Sequence, residues 1–133
     1  MATSPNAAHF KLALDKIYDE VVEEEVVRVT KKLALEALKR VIQKSPVKTG
    51  QFRGNWNVSV EDRDEKTTTD RDPEGTKALL RGIATINGLG KARPIFVTNA
   101  LPYAMRLENG YSKQAPLGMV AVTFAELQSI ARV

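Results

Sequence analysis

The chain contains no cysteine, which excludes a disulfide framework and every thiolate metal site. It has one histidine, His9, close to the N-terminus. With no thiol and a single imidazole, the usual nucleophile–base pairs and zinc sites lack their ligands. No catalytic, cofactor-binding or metal-binding residue is therefore expected, and the protein is expected not to be an enzyme. Apolar runs are short. None approaches the ~20 residues that span a bilayer, so no membrane association is expected. The opening "MATSPNAAHF" lacks the charged n-region and apolar core of a signal peptide. These gaps imply a protein made in a cytoplasm and used there, or assembled there into something larger.

What remains is ordinary globular material. The 133 residues, 43% hydrophobic and 27% charged, suit one soluble domain covering residues 1–133. The net charge of +4 permits contact with nucleic acid without demanding it, because the basic residues are spread along the chain.

Residues 6–44 read as one long helix. Ser4 or Asn6 can cap its start, and Pro46 disfavours helical geometry at Ser45. Val22, Val26, Val29, Leu33, Ala37 and Val41 form a stripe at spacings of three and four, with Val27, Ala34, Leu38 and Ile42 beside it. The polar face is narrow, and Lys32 and Glu36 are spaced for an ion pair. The β-branched run "VVEEEVVRVT" is the weak point, where a kink or a strand competes. Such a helix is roughly 55 Å long, while the remaining chain, residues 45–133, forms an α+β body with a radius of gyration of about 12 Å. A straight helix overhangs that body, and its apolar arc is wider than one contact requires. Either it kinks back or its outer face meets another copy; the second reading is favoured, with Val22, Val26, Val29 and Leu33 at the subunit interface.

The body reads as a small, mostly antiparallel sheet with short helices. "NWNVSVE" alternates, with Trp56, Val58 and Val60 on one face and Asn55, Asn57 and Ser59 on the other. Residues 61–75, "EDRDEKTTTDRDPEG", carry seven acidic residues against three basic and read as a mobile acidic loop or hairpin tip. Residues 76–86 form a short helix broken by Gly88 and Gly90, and "RPIFVTN" a buried strand. "LPYAMRLENG" is a proline-initiated helical turn with Gly110 at its C-cap. Residues 119–131 are a strand or a helix.

Several constellations lead nowhere. A phosphate loop ending at Gly90-Lys91 needs glycine at Thr85 and a hydroxyl at Ala92. Asn57-Val-Ser fits a glycosylation acceptor, yet nothing directs the chain to a secretory path. Tyr103, Arg106 and Glu108 are better suited to structural ion pairing than to a polar site. Trp56 and Phe52 can stack on bases, but on an alternating strand Trp56 belongs to the core.

Two stretches carry more. "SPVKTGQFRGNW" is a Ser-Pro-Val-x-Thr-Gly turn leading into an aromatic-tipped strand. "VTNALPYAMRLENGYSKQAPLGMV" runs from Asn-x-x-Pro-Tyr-Ala through Leu-Glu-x-Gly to Gln-Ala-Pro-x-Gly-Met-Val. In this order and spacing they resemble the neck and tail-completion proteins of long-tailed bacteriophages, the minor tail protein Z-like family, over roughly residues 30–124. The resemblance implies a non-catalytic virion protein whose copies form a ring of six at the head–tail junction, contacting connector, tail terminator and tail tube proteins. DNA would pass through the ring without sequence-specific binding. It also implies architectural roles for Ser45, Pro46, Thr49, Gly50, Gly54 and Trp56, and for Asn99, Pro102, Tyr103, Ala104, Leu107, Glu108 and Gly110. Gly50 and Gly110 are expected at positive φ, and Tyr103 to bury its ring while bonding its hydroxyl. Asp62, Asp64, Glu65, Asp70 and Asp72 either line the channel and repel the DNA backbone, or belong to a solvated or partner-docking loop. The alternatives are a tail terminator ring and, from another class, a small basic DNA-binding protein. Against the latter, no helix carries a one-sided Lys/Arg stripe. A carboxylate-only hydrolase has no nameable pair.

Overall fold

The computed structural model describes residues 5–131, with side chains described from Lys16 onward. The cap position Ser4, and the side chains of Asn6 and His9, lie outside the described residues. A single helix, α1 (Pro5–Lys44), begins at a proline, which suits the first helical position. It runs unbroken through the β-branched stretch, so the strand reading fails there. Each β-branched residue costs only a few tenths of a kcal/mol in a helix, and Arg28 pairs with Glu25 along the exposed face.

Beyond a tight 3-10 turn at Arg53–Asn55 come β1 (Trp56–Val60), α2 (Thr76–Asn87), β2 (Ile95–Asn99), α3 (Ala104–Glu108) and α4 (Val120–Ala131). The C-terminal segment is thus a helix. β1 and β2 form a two-stranded antiparallel sheet in which Trp56 faces Asn99, Val58 faces Val97 and Val60 faces Ile95. A lone hairpin-sized sheet is marginal in water, so its apolar face is covered by the helices. The architecture is α+β, a long N-terminal helix on a small antiparallel sheet with short helices.

The core gathers Ala34, Leu38, Val41 and Ile42 from α1, Phe52, Trp56 and Val58 from the corner and β1, Ala78 and Ile86 from α2, and Met119 at the entry to α4. At Gly82, α2 comes so close to α1 that a Cβ would overlap the Leu38 side chain and sit 2.9 Å from Val58 Cγ2. The pairing of Lys32 with Glu36 is replaced. Glu36 instead accepts from Arg40 at 3.2 Å, because Arg40 also reaches Glu126 of α4 at 3.0 Å, with Lys44 joining the same carboxylate. This charged cluster fastens α4 to the last turns of α1.

Candidate functional site

The two sequence signatures meet in space and build one corner. Ser45, nearly buried at the end of α1, donates its hydroxyl to the Val41 carbonyl at 2.5 Å and accepts the Trp56 indole N–H at 2.7 Å. The buried indole therefore has the partner its N–H needs, and the helix end is locked to the first strand. Pro46 then turns the chain outward. Gly50 holds φ +89°, and a Cβ there would lie 2.7 Å from the Asp72 carbonyl carbon and closer still to Pro73 N. Only glycine combines that backbone region with that approach. Thr49 accepts a local bond from Gln51 N. Gly54 packs on Asp72, where an added Cβ would be 2.8 Å from the Asp72 Cβ.

From the second signature, Asn99 donates to the Phe52 carbonyl at 2.9 Å, and Gln114 bonds both ways to the Val47 backbone at 2.9 and 3.2 Å. Phe52 lies edge-on to Trp56 at 5.9 Å and tilted against Tyr103 at 5.8 Å. Tyr103 is not buried as expected; at 40% exposed its ring leans on Phe52 from outside, because Pro102 and Tyr103 form the exposed entry to α3. The α3 exit is a Schellman turn: Gly110, at φ +86°, donates to Leu107 and Tyr111 donates to Arg106. Between the two signatures lies an open groove of about 570 Å³, walled by Val47, Phe52, Tyr103, Leu107 and Tyr111.

The expected ion pairing at α3 does not form. Arg106 stacks over the Tyr111 ring at 5.2 Å. Glu108 accepts the N–H groups of Met119, Val120 and Ala121 at 2.8–3.0 Å and so caps the first turn of α4 from 11 residues or more upstream. Burial raises the pKa of its carboxyl, but the donations from Val120, Ala121 and Met119 together outweigh it and hold it below the ordinary glutamate value.

The acidic segment is also more structured than expected. Asn55, placed by alternation on the solvent face, is almost fully buried. Its amide donates to the Thr68 carbonyl at 2.9 Å and accepts the Thr68 N–H at 2.8 Å, while Asn57 donates to the Lys66 carbonyl at 2.7 Å. Residues 66–68 thus form a strap tied to β1 rather than a free loop. Asp72 leaves the set of loop acids. It is 5% exposed and accepts from Lys77 N at 3.3 Å and Ala78 N at 2.9 Å, the second and third N–H groups of α2, which any helix start leaves without partners. Its place just ahead of an apolar helix was a readable capping signal. Asp62, Glu65 and Asp70 are exposed, and Asp64 is half-buried. Asn55 carried no periodic signal for its buried role, and Gln114, inside the quoted second signature, was assigned no role there.

On α1 the structure separates two apolar rows. Ala34, Leu38, Val41 and Ile42 face the body. Val22, Val26, Val29 and Leu33 lie roughly 120–180° around the axis from Leu38. Val22, Val26 and Val29 are 42%, 45% and 39% exposed, whereas Leu33 is half-buried. Ile17, Tyr18 and Val21 extend the bare surface toward the N-terminus, and Val120 and Phe124 of α4 are exposed near Ala37 and Val41, further along the helix. Among the described residues, no group of acids, histidines or cysteines can hold a metal ion, and no helix is long and apolar enough to cross a membrane.

Residues 8–110, 103 of the 133, match the family described as "Bacteriophage HK97-gp10, putative tail-component". No curated protein and no solved structure gives a match to this chain. The matched stretch takes in α1 from its fourth residue, the corner, the strap, both strands and α3, and it closes on the signature glycine Gly110. On that span the chain belongs to the bacteriophage HK97-gp10-like family of tail components.

Proposed function

We propose that copies of this virion protein close into a ring of six at the head–tail junction, joining the tail to the DNA-filled head and leaving a central passage for DNA. The observation that carries this reading is the bare row Val22, Val26 and Val29 on the outer face of a 40-residue helix. A contiguous exposed apolar patch on a soluble subunit marks a contact surface. A contact that pairs unlike faces of identical subunits closes into a ring when its rotation divides the circle. The role is structural. The corner residues fix chain direction and packing, and their partners are the connector, terminator and tube proteins above and below.

Val26→Asp tests the reading, since it places a charge in the patch without touching the core. The expected product is a folded single copy by light scattering, with an unchanged thermal midpoint and particles whose heads and tails stay separate. Rings of normal mass in that variant would refute the proposal. The deletion phenotype separates the neck role from a terminator: tails of normal length that fail to join heads fit the neck, and tails of uncontrolled length fit the terminator.

The acids Asp62, Asp64, Glu65 and Asp70 would keep the passage from gripping DNA, because each phosphate neutralised by a protein cation adds a salt-dependent hold. Replacing the four with Asn and Gln is expected to slow DNA ejection and to steepen its dependence on low salt. Unchanged ejection with normal assembly would place these acids outside the channel.

A further inference from the structure

The geometry points to a specific seat for the overhanging helix: the corner groove of a second copy of this chain receives the row Tyr18, Val22 and Val26. This rests on the self-association reading above and names both of its faces. The groove is walled by aromatic and aliphatic side chains and has the volume of a small-ligand pocket, room for a few side chains of an approaching helix. Its rim is basic. Lys48 lines the groove, while Arg106, stacked on Tyr111, and Lys113, between the lining residues Ser112 and Gln114, stand beside it. All three are exposed, and none has a carboxylate partner within ion-pairing distance among the described residues.

The overhang has the opposite sign. Between residues 16 and 28 it carries Asp19, Glu20, Glu23, Glu24 and Glu25 against Lys16 and Arg28. Glu25 is paired with Arg28 and Glu23 accepts from Ala92 N, while Asp19, Glu20 and Glu24 make no ion pair among the described residues. Helical periodicity puts Asp19 and Glu25 on the two flanks of the Tyr18–Val22–Val26 row. An apolar row flanked by Asp19 on one side and by the Glu25–Arg28 pair on the other, on a stretch of net negative charge, thus faces an apolar groove beside cations, the complementarity that sets register and discriminates among partners.

The helix cannot fill its own groove. Val22 and Pro46 are 24 residues apart in sequence, and the helix between them is rigid, so they stand roughly 36 Å apart along its axis. The occupant therefore comes from another copy, and the contact joins unlike faces. It propagates head to tail instead of pairing two subunits.

The cysteine-free background makes a clean test by disulfide trapping. A Val22→Cys, Tyr111→Cys double variant, oxidised as purified protein and within assembled particles, is expected to give a ladder of covalent species beyond the dimer, collapsed by reductant. Neither single variant is expected to cross-link. Lys48→Glu with Lys113→Glu is expected to abolish the ladder, and adding Asp19→Lys with Glu25→Lys to restore it. A dimer from Val22→Cys alone means that the bare rows meet each other, which overturns the seat while leaving self-association intact. Multimers of normal mass with no cross-link in any variant overturn the seat in the same way. Single copies both in solution and in particles overturn the seat and the ring together.

Discussion

Trp56→Ala lowers the unfolding free energy by about 3–5 kcal/mol, the usual cost of removing a buried aromatic side chain. Against a total of about 5–15 kcal/mol for a domain, that is enough to leave a large unfolded fraction at moderate temperature. The size of the effect follows from position. The indole sits 4% exposed between α1 and the sheet, lies against Phe52 and donates to Ser45. Removing it opens a cavity at the hinge of both signatures and leaves the Ser45 hydroxyl without its donor. Trp56→Phe isolates the second part; it is expected to cost less, with about 1 kcal/mol of the loss coming from the broken hydrogen bond. Trp56 is the only tryptophan, so urea unfolding is best followed by circular dichroism. A loss below 1 kcal/mol for the alanine variant would show that the corner stands without it. The contrast with Val26→Asp is the useful control, since one substitution removes stability and the other removes assembly.

Glu108→Ala is expected to free α4 locally. Three N–H groups lose one acceptor, and a lost cap costs about 1–2 kcal/mol. Native-state hydrogen exchange should show faster exchange across residues 119–123 while α1 and α2 keep their protection. Uniform change across the chain, or none, would contradict the capping role. Acid should produce the same result in the unmodified protein. The pKa of Glu108 is lowered in the folded state, so its contribution is fully present above the unfolded value near 4.5 and is lost as pH falls through the lower folded value. Glu126 titrates in the same sense, lowered chiefly by the bond from Lys44, with burial opposing and Arg40 assisting. Both carboxylates that hold α4 therefore keep their charge at the ordinary glutamate pKa and lose it only as pH falls through their lower folded values, and α4 should loosen there before the rest of the chain unfolds.

The regular elements were legible because each repeats a single physical pattern. α1 shows a sustained three-four spacing, β1 alternation and β2 a short apolar run. β2, expected to be buried, is nevertheless half-buried along its whole length, because one face of the two-stranded sheet is left open. What stayed hidden were contacts that skip across the chain. Nothing local says which of the two apolar rows of α1 turns inward; that choice is made by Gly82, which lets α2 approach Leu38, and by the Arg40–Glu126 pair, which seats α4. Asn55 looked like a solvent-facing residue because alternation assumes nothing covers that face. Its partner lies 13 residues on, in a stretch with almost no apolar content. Glu108 looked like half of an ion pair because its backbone donors belong to a helix start that sequence left undecided between strand and helix. The corner glycines and prolines were read correctly as turns, but the groove they frame needs both signatures in three dimensions.

The strap has a consequence for how such a protein can change. Asn55 and Asn57 grip it only through the main-chain atoms of Thr68 and Lys66, so the attachment is indifferent to which side chains the strap displays. Its outward residues are an interchangeable label on a fixed clip. The pattern of charge along 62–70 can be rewritten to suit a different neighbour while the fold beneath it stays the same.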